Sequence, residues 1–447
     1  MSARRTARCL VYLGLAGIVV GLSKVHAAAV AEPAYDYTGS FRFSWSLAYV
    51  AFLSVAAYGA GLPDLTRSSR STALAAVAAP VLAALGVSFA QLLVGDALLP
   101  RFVVFGSAAL AVPWLALCAS IAQRGRHWAQ NRDRVVVVAA PASAELLRLD
   151  LAHAPERPAS VVAVLDPEGA SDVSDGHQPL VEMARSCKAT VIVLDRIGQA
   201  DDTLVSQAAV LHAAGVRVRT MSLFYEEWLG KLPAGELERV SLMFDIGELH
   251  RWRYGRAKRI ADVLVAVAGL PLLLVAVPFV WLGNRVANRG PLLYRQTRVG
   301  RHGHEFQIIK FRTMVPVGDV LVNEWTSEDD PRITRLGRVL RRTHVDELPQ
   351  LVNILKGELS LVGPRPEQPH YVAELTDKLP FYDIRHLVRP GLTGWAQVKY
   401  GYAGNETDAL EKLQYEFFYL RRQSLLFDAR IVGRTLRSVL GGVGRGR

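Results

Sequence analysis

Cysteine is almost missing from this chain. Among 447 residues there are three, Cys9, Cys118 and Cys187, with no C-x-x-C spacing. That count fits neither a zinc site nor a disulfide framework, and it places the polar part of the chain in a reducing compartment. No internal repeat or low-complexity tract is visible. No nucleic-acid-binding module accompanies the net charge of +11. The positive charge is therefore read as contact with an anionic membrane surface and phosphorylated ligands, with no nucleic-acid partner. Charge of either sign is sparse, at 21%, whereas 51% of residues are hydrophobic and the mean hydropathy is +0.19. A membrane class comes first, with length for two or three domains.

What is present begins with four apolar stretches, at about 9–23, 43–62, 73–95 and 101–122. The last three are long enough to span a bilayer as helices. The first reads either as a retained helix or as a secretory signal, since Arg4, Arg5 and Arg8 precede a short apolar core and His26-Ala-Ala-Ala follows it. Four spans would return the chain to its starting side. The basic residues agree: Arg4, Arg5 and Arg8, then Arg67 and Arg70, then Arg124, Arg126, Arg132 and Arg134 fall on one side, while Glu32, Asp36 and Asp96 fall on the other. By the positive-inside rule everything after about residue 123 is expected in the cytoplasm.

Over 124–250 short β-rich runs, Val135–Ala139, Val161–Leu165, Thr190–Leu194 and Val216–Thr220, alternate with helix-like segments such as Ala142–Ala152 and Thr203–Ala214. This is a Rossmann-like rhythm. The turn after the first run is Ala-Ala-Pro-Ala-Ser, without the glycines that let a backbone approach a pyrophosphate, so dinucleotide binding is expected to be lost. Over 251–288 a basic, aromatic run leads into an apolar stretch from Ile260 to about Gly283. Pro271 and Pro278 lie inside it, and arginines and lysines flank both ends. Either a proline-broken, re-entrant helix or an ordinary fifth span satisfies the length; only the first keeps both basic flanks on one side. Asp262 would be costly in lipid unless it pairs, with a flanking Lys or Arg as the expected partner. From 289 to 447 the chain is polar, basic and rich in Gly-Pro turns. Regular elements look short there, except for a helix starting near Asp346 and a long helical segment from about Thr407, which would lie on the membrane surface or pack in a core.

The stretch Arg341–Pro366 holds an adjacent acidic pair, Asp346-Glu347, among Arg338, Arg341, Arg342 and Arg365. Two adjacent carboxylates repel unless cations or a metal hold them. Such a pair in a ring of cations suits phosphate chemistry; it also suits the acidic first turn of a helix. Lys310 and Arg312 are two apart, on one face if the run is a strand, and could grip phosphates or form a solvated basic surface.

Between Lys258 and about Arg437 the chain resembles the polyprenyl-phosphate sugar-1-phosphate transferases, the bacterial sugar transferases. The matching pieces, in order, begin with Lys258-Arg259-x-x-Asp262, Gly290-Pro291, Arg295-Gln296-x-Arg298-Val-Gly300 and Lys310-Phe-Arg-x-Met314. They continue with Asp330-Pro-Arg-Ile-Thr334, Gly337-Arg-x-Leu-Arg341, Asp346-Glu-Leu-Pro-Gln350, Asn353 and Lys356-Gly357. Ser360-Leu-Val-Gly-Pro-Arg-Pro366 and Pro390-Gly-Leu-Thr-Gly394 complete the set. The N-terminal half is similar to the large monotopic subgroup, and Phe224-Tyr-Glu-Glu-Trp-Leu-Gly230 resembles a segment those proteins carry.

The resemblance implies an architecture: a membrane protein of α plus α/β make-up. It would have four transmembrane helices over 1–123, a degenerate Rossmann-like domain over 124–250, a linker and re-entrant helix over 251–288, and a small mixed α/β catalytic domain over 289–447. It also implies transfer of a sugar-1-phosphate from a UDP-sugar, UDP-glucose or UDP-galactose, to polyprenyl phosphate in the cytoplasmic leaflet of the bacterial inner membrane. Asp346 would be the nucleophile and Glu347 a ligand of Mg²⁺. Lys310, Arg312, Arg332, Arg338, Arg341, Gln350 and Arg365 would bind substrate. A homodimer is left open. The family's usual Ser-Pro break is absent here, His344 stands where a Ser is common, and Glu416 stands where an Asp is common. A membrane-anchored nucleotide-sugar dehydratase is the rival; Tyr254-x-x-x-Lys258 has its spacing, but in a poor setting.

Overall fold

The computed structural model describes residues 3–63, 69–94, 99–129, 133–153, 159–173, 177–233, 251–287, 290–315, 332–379, 381–400 and 406–440. Arg67, Asp96, Arg132, Asp330 and Pro331 lie outside them. The chain divides into two compact units. Ala3–Ser120 joins Val240–Arg447 in one, and Ile121–Arg239 forms the other.

In the first unit, α1 (Ala3–Val25), α2 (Phe41–Gly59), α3 (Ser69–Val94) and α4 (Arg101–Ala129) pack around Val11, Leu15, Tyr49, Leu53, Ala79 and Leu115. Ala75, Ala76, Ala79 and Ala83 are buried in that core; side chains this small let helices approach closely. Tyr49 donates to Val104 O at 2.8 Å and Trp114 Nε1 to Leu10 O at 3.0 Å, so these polar tips inside the bundle are satisfied. Among the described residues, four helices are long and apolar enough to cross a bilayer: Thr6–Val30, Thr72–Leu92, Arg101–Ala122 and Tyr254–Ala287. This is the make-up of a membrane protein. The second apolar stretch does fold as α2, but it is not among those four; Arg42 and three serines dilute its 19 residues.

The second unit is a four-stranded parallel sheet in the order β2-β1-β3-β4. Its strands are β1 (Arg134–Val138), β2 (Ser160–Leu165), β3 (Val191–Leu194) and β4 (Arg217–Thr220). Alternation along β1 sends Val136 and Val138 to a core shared with Leu204 and Leu211 of α6 (Asp202–Ala213). It sends Val135 and Val137 to a core with Leu147 of α5 (Pro141–His153) and with Phe224 and Trp228. The Phe224–Leu229 segment is thus a core lid: the Phe224 and Trp228 rings stack 4.5 Å apart, and Trp228 Nε1 donates to Asp133 at 3.1 Å.

The long helix α7 (Arg251–Ala287) continues through Pro271 and Pro278 for 37 residues, so the break expected at the prolines is not there. Its protein-facing side is fastened along its length. Lys258 Nζ meets Asp428 at 2.7 Å, Arg259 donates to the carbonyls of Ile354 and Leu355, and Asn284 Nδ2 donates to Gly290 O at 2.8 Å. Asp262 does not pair with a flanking cation. It is buried and accepts from Ser360 Oγ at 3.1 Å and Leu361 N at 3.0 Å, because the polar partners it needs lie on a β-strand packed against the helix rather than at the helix ends. The other side of α7 is apolar and exposed, with Leu264, Leu272, Leu274, Phe279 and Leu282 outward.

Against α7 lies the antiparallel pair β5 (Leu293–Val299) and β6 (Glu305–Phe311), followed by α8 (Arg335–Thr343), α9 (Gln350–Lys356) and the parallel pair β7 (Ser360–Val362) and β8 (Gly391–Thr393). The segment from Thr407 is two helices rather than one, α10 (Glu406–Arg421) and α11 (Leu425–Leu440). Helix α10 is a core helix, with Leu413, Phe417, Tyr419 and Leu420 buried. Helix α11 packs on α2, where Gly433 comes so close to Gly59 that a Cβ on Gly433 would sit 2.1 Å from the Gly59 carbonyl.

Candidate active site

The acidic pair does not open a helix. Thr334 caps the start of α8, its Oγ1 accepting from Gly337 N at 2.9 Å. The helix ends at His344, which is left-handed (φ 55°, ψ 17°) and accordingly turns the chain. Val345–Glu347 then forms a single 3-10 turn, and α9 begins only at Gln350. Pro349, which has no amide hydrogen to donate, separates the two. Asp346 and Glu347 therefore sit in a tight turn between two helices, and the helix-start reading of this pair does not hold.

Strand β6 delivers Lys310 to the turn, its Nζ 2.9 Å from Glu347 Oε1. Asn353, fully buried, holds β6 and α9 in register: Ile309 N donates to its Oδ1 at 3.1 Å, and its Nδ2 donates to Gln307 O at 2.7 Å. The two carboxylates of the pair end in different states. Burial raises Asp346 above the ordinary carboxylate range and the charge of Glu347 raises it further, against smaller opposite pulls from Lys310, His344 and Arg341. Burial acts on Glu347 too, but Lys310 and then Arg365 outweigh it and hold that carboxyl low. Asp346 Oδ1 is buried without a hydrogen-bond partner among the described residues.

The other expected residues divide into two groups. Arg341 and Arg365 act on the pair electrostatically. Arg341 Nε also donates to Thr313 Oγ1 at 3.1 Å, and its Nη2 lies 3.6 Å from Met314 Sδ. Gln350 is buried at the start of α9. Arg312 lies just beyond β6 and donates to Pro291 O at 3.1 Å. Arg332 is beside the Met314–Ile333 bridge, its carbonyl accepting from Val315 N at 3.0 Å. Arg338 lies on the exposed face of α8.

Arg365 sits in the Gly363–Pro366 loop after β7. The loop is so close to β8 that side chains are excluded: a Cβ on Gly391 would lie 2.1 Å from Gly363 N, and one on Gly394 2.3 Å from Gly363 O. That close approach is the physical reason for the glycines in both Gly-Pro motifs. Sequence reasoning assigned no role to Asn353, Arg385 or Glu416. Arg385 and Glu416 form a buried ion pair at 2.8 Å; Glu416 was marked only as standing where an Asp is common, and its pairing with Arg385 depends on how α10 packs. Tyr254 and Lys258 both bond Asp428, at 2.8 and 2.7 Å. The Tyr-x-x-x-Lys spacing therefore fastens α7 to α11.

As a donor set for a cation, the pair offers Glu347 and the orphaned Oδ1 of Asp346. No group of three or more Asp, Glu, His or Cys side chains gathers to hold a metal among the described residues. One or two carboxylates, completed by water and substrate phosphate, is the usual protein share for Mg²⁺, so these residues fit that ion.

A paired carboxylate with convergent cations, in one compact unit with apolar helices long enough to cross a bilayer, marks a membrane protein with a strongly charged site. The pattern that describes the bacterial sugar transferase family matches residues 253–442. The chain is similar to the UDP-N-acetylgalactosamine-undecaprenyl-phosphate N-acetylgalactosaminephosphotransferase of Aeromonas hydrophila, 40% identical over 43% of this chain and 45% of that protein. It is similar to the UDP-glucose:undecaprenyl-phosphate glucose-1-phosphate transferases of Escherichia coli, 38% identical over 40% of this chain and 39% of that protein, and of Caulobacter vibrioides, 40% identical over 43% and 73%. The chain belongs to the bacterial sugar transferase family. The match spans less than half the length of the Aeromonas and Escherichia relatives.

Proposed function

We propose that this protein transfers a sugar-1-phosphate from a UDP-sugar to polyprenyl phosphate, releasing UMP, as a first membrane step of glycan or exopolysaccharide synthesis. The observation that carries the reading is the asymmetry of the acidic pair. Glu347 is engaged by Lys310 at 2.9 Å, while Asp346 keeps a buried oxygen with no partner among the described residues. The unengaged carboxylate is the nucleophile. Its oxygen attacks the phosphorus that bears the sugar, the bond from that phosphorus to the UMP oxygen breaks, and UMP leaves with the electron pair. A phosphate oxygen of the polyprenyl phosphate then attacks the same phosphorus, the acyl phosphate bond breaks, and Asp346 is restored. A covalent carrier lets a soluble donor and a lipid acceptor be handled in turn.

Glu347 is the residue to hold Mg²⁺, which would neutralise the diphosphate and favour departure of the nucleotide. Lys310, Arg341 and Arg365 supply positive charge for the phosphoryl oxygens. Arg312, Arg332, Arg338 and Gln350 complete the proposed substrate contacts. The sugar remains the variable: UDP-glucose and UDP-galactose were expected, and the relatives add UDP-N-acetylgalactosamine.

We read α7 as re-entrant, with the catalytic domain on the cytoplasmic face of the inner membrane and the parallel-sheet unit as a degenerate Rossmann-like domain. Support for re-entrance comes from Arg259 near one end, which donates to the carbonyls of Ile354 and Leu355, and from Gly283 near the other, where a Cβ would fall 3.1 Å from Leu336 Cδ2. A helix crossing the bilayer with that part on one side would carry one of the two out of reach. Support for lost dinucleotide binding comes from Asp195. Its carboxylate accepts from Gly198 N at 2.8 Å and from Ala140 N at 3.4 Å, so it occupies the turn where a pyrophosphate would sit.

The purified protein with Mg²⁺ and undecaprenyl phosphate is expected to release UMP from at least one donor in a panel of UDP-glucose, UDP-galactose and UDP-N-acetylgalactosamine. Asp346→Asn should abolish release while inserting and melting like the parent; turnover near the parental rate would overturn the nucleophile assignment. NAD-dependent loss of water from the donor would favour the dehydratase instead. Arg256→Cys and Ala287→Cys should both be labelled from the cytoplasmic side only, and periplasmic labelling at position 287 would show a span.

A further inference from the structure

The Gly363–Glu367 loop is held by four consecutive carbonyls. Pro364 O accepts from Gly391 N at 2.8 Å, and Glu367 O accepts from Val299 N at 2.9 Å. Between these two backbone bonds, Arg365 O accepts from Arg385 Nη2 at 2.8 Å and Pro366 O from Arg298 Nη1 at 3.1 Å. Pro364 and Pro366 contribute no amide hydrogens and have fixed φ, so the carbonyls are the main means of orienting this segment. Two of the four anchors are guanidinium groups that are themselves held. Arg385 is buried, with Nε and Nη2 each 2.8 Å from the Glu416 carboxylate and Nη1 2.6 Å from Tyr382 Oη. Arg298 is bonded to Gln296 Oε1 at 2.6 Å.

A buried ion pair is a poor way to gain stability. Each ion loses its water at a cost of several kcal/mol, and packed apolar side chains often serve as well. An apolar pair could not donate to Arg365 O. The planar guanidinium can bind the Glu416 carboxylate and that carbonyl at once, whereas a lysine offers one nitrogen for all of these partners. The bond falls on the backbone of the one loop arginine whose charge acts on Glu347.

We propose that Arg385, locked by Glu416 and assisted by Arg298, is a positioning residue that fixes where the Arg365 guanidinium meets the donor diphosphate. This rests on the reading of Arg365 as a phosphate contact.

The test is a double-mutant cycle in the full-length protein, scored by UMP release from the panel donor it turns over, with undecaprenyl phosphate as acceptor. Arg365→Ala should lower kcat/KM by about 10²-fold. Arg385→Lys alone should lower it about 10- to 50-fold; in the Arg365→Ala background it should cost less than about 3-fold more, since the side chain it positions is gone. Equal losses in both backgrounds would show a merely structural role and overturn the inference, leaving the Arg365 reading intact. Parental kcat/KM for Arg365→Ala would overturn that reading and this inference with it. If Arg385→Lys fails to insert or melts early, Arg298→Lys, which acts through Pro366 O at a less buried position, is put through the same cycle. A smaller loss in the Arg365→Ala background would again support positioning, and equal losses would again overturn it.

Discussion

At the residue scale, the sequence displayed the chemistry but not the partners. Asp346, Glu347, Lys310, Arg341 and Arg365 were legible because charge in an apolar-rich chain is conspicuous, and the structure brings all five into electrostatic contact. Arg338 had the same sequence appearance and is exposed on α8; helix phase, which a list of arginines does not carry, sets the face it occupies. His344, which stands where a Ser is common, has a conformational role as the left-handed turn into the pair. His386 was invisible in the sequence. Burial, then the charge of Arg385, lower it to about 4, against a smaller pull from Asp383, whose Oδ1 is 3.6 Å away. The unfolded chain, with an ordinary value near 6.5, binds the proton more readily across the window between about 4 and 6.5. This histidine's contribution is therefore fully present above that window and is lost as pH falls through it. On going from pH 7 to pH 5 the parent should lose about 2 kcal/mol that His386→Phe does not lose. Melting temperatures at the two pH values check this, and an identical drop in both proteins would contradict it.

At the scale of elements, periodicity found what is locally determined. The four strands and two main helices of the parallel-sheet unit fall within a residue or two of their expected bounds, because alternating Val runs between polar turns leave little choice. The misses lie where tertiary contact overrides local pattern. Pro271 and Pro278 did not break α7; its neighbours bury one side along its length, and such packing can offset the backbone hydrogen bonds a proline removes. The segment from Thr407 splits at Gln423-Ser424, where Phe427 N donates to Ser424 Oγ at 3.2 Å and starts a second helix. That second helix supplies Asp428, the shared acceptor for Tyr254, Lys258 and Tyr419. Asp428→Asn removes the only charge that compensates Lys258 among these groups. It should destabilise the protein by about 3 kcal/mol, in the range for breaking a buried pair. Asp428→Asn with Lys258→Met should recover part of the loss, since no charge is then left buried. Thermal melting in detergent reads both, and a single variant as stable as the parent would remove Asp428 as the anchor of α7.

At the scale of the whole molecule, the membrane bundle and the catalytic part belong to one compact unit, although the sequence presents them as opposite ends of the chain. No motif announces the joint, because it is made by the absence of side chains. Gly59 closes α2 and Gly433 lies within α11. A Cβ on Gly59 would fall 2.7 Å from Ala429 O, and one on Gly433 would fall 2.1 Å from the Gly59 carbonyl. Arg430 lies over the Tyr58 ring, 4.6 Å from its centre. Helix α11 also reaches the core of the catalytic part, where Thr435 Oγ1 and Thr393 Oγ1 are 2.6 Å apart, one residue from the Gly394 that packs on the Arg365 loop. The last helix thus couples the bundle to the loop through side chains of no evident chemistry. Overpacking a tight contact costs typically about 1 to 3 kcal/mol, so Gly59→Leu and Gly433→Leu should each lower stability by about 2 kcal/mol. Because the two substitutions separate the same pair of backbones, the double variant should cost little more than either alone. UMP release should fall along with melting temperature in the single variants if the joint also holds the loop. Additive losses would mean that the glycines act in separate places, and parental stability in Gly433→Leu would show that the two helices do not meet as closely as their backbones place them.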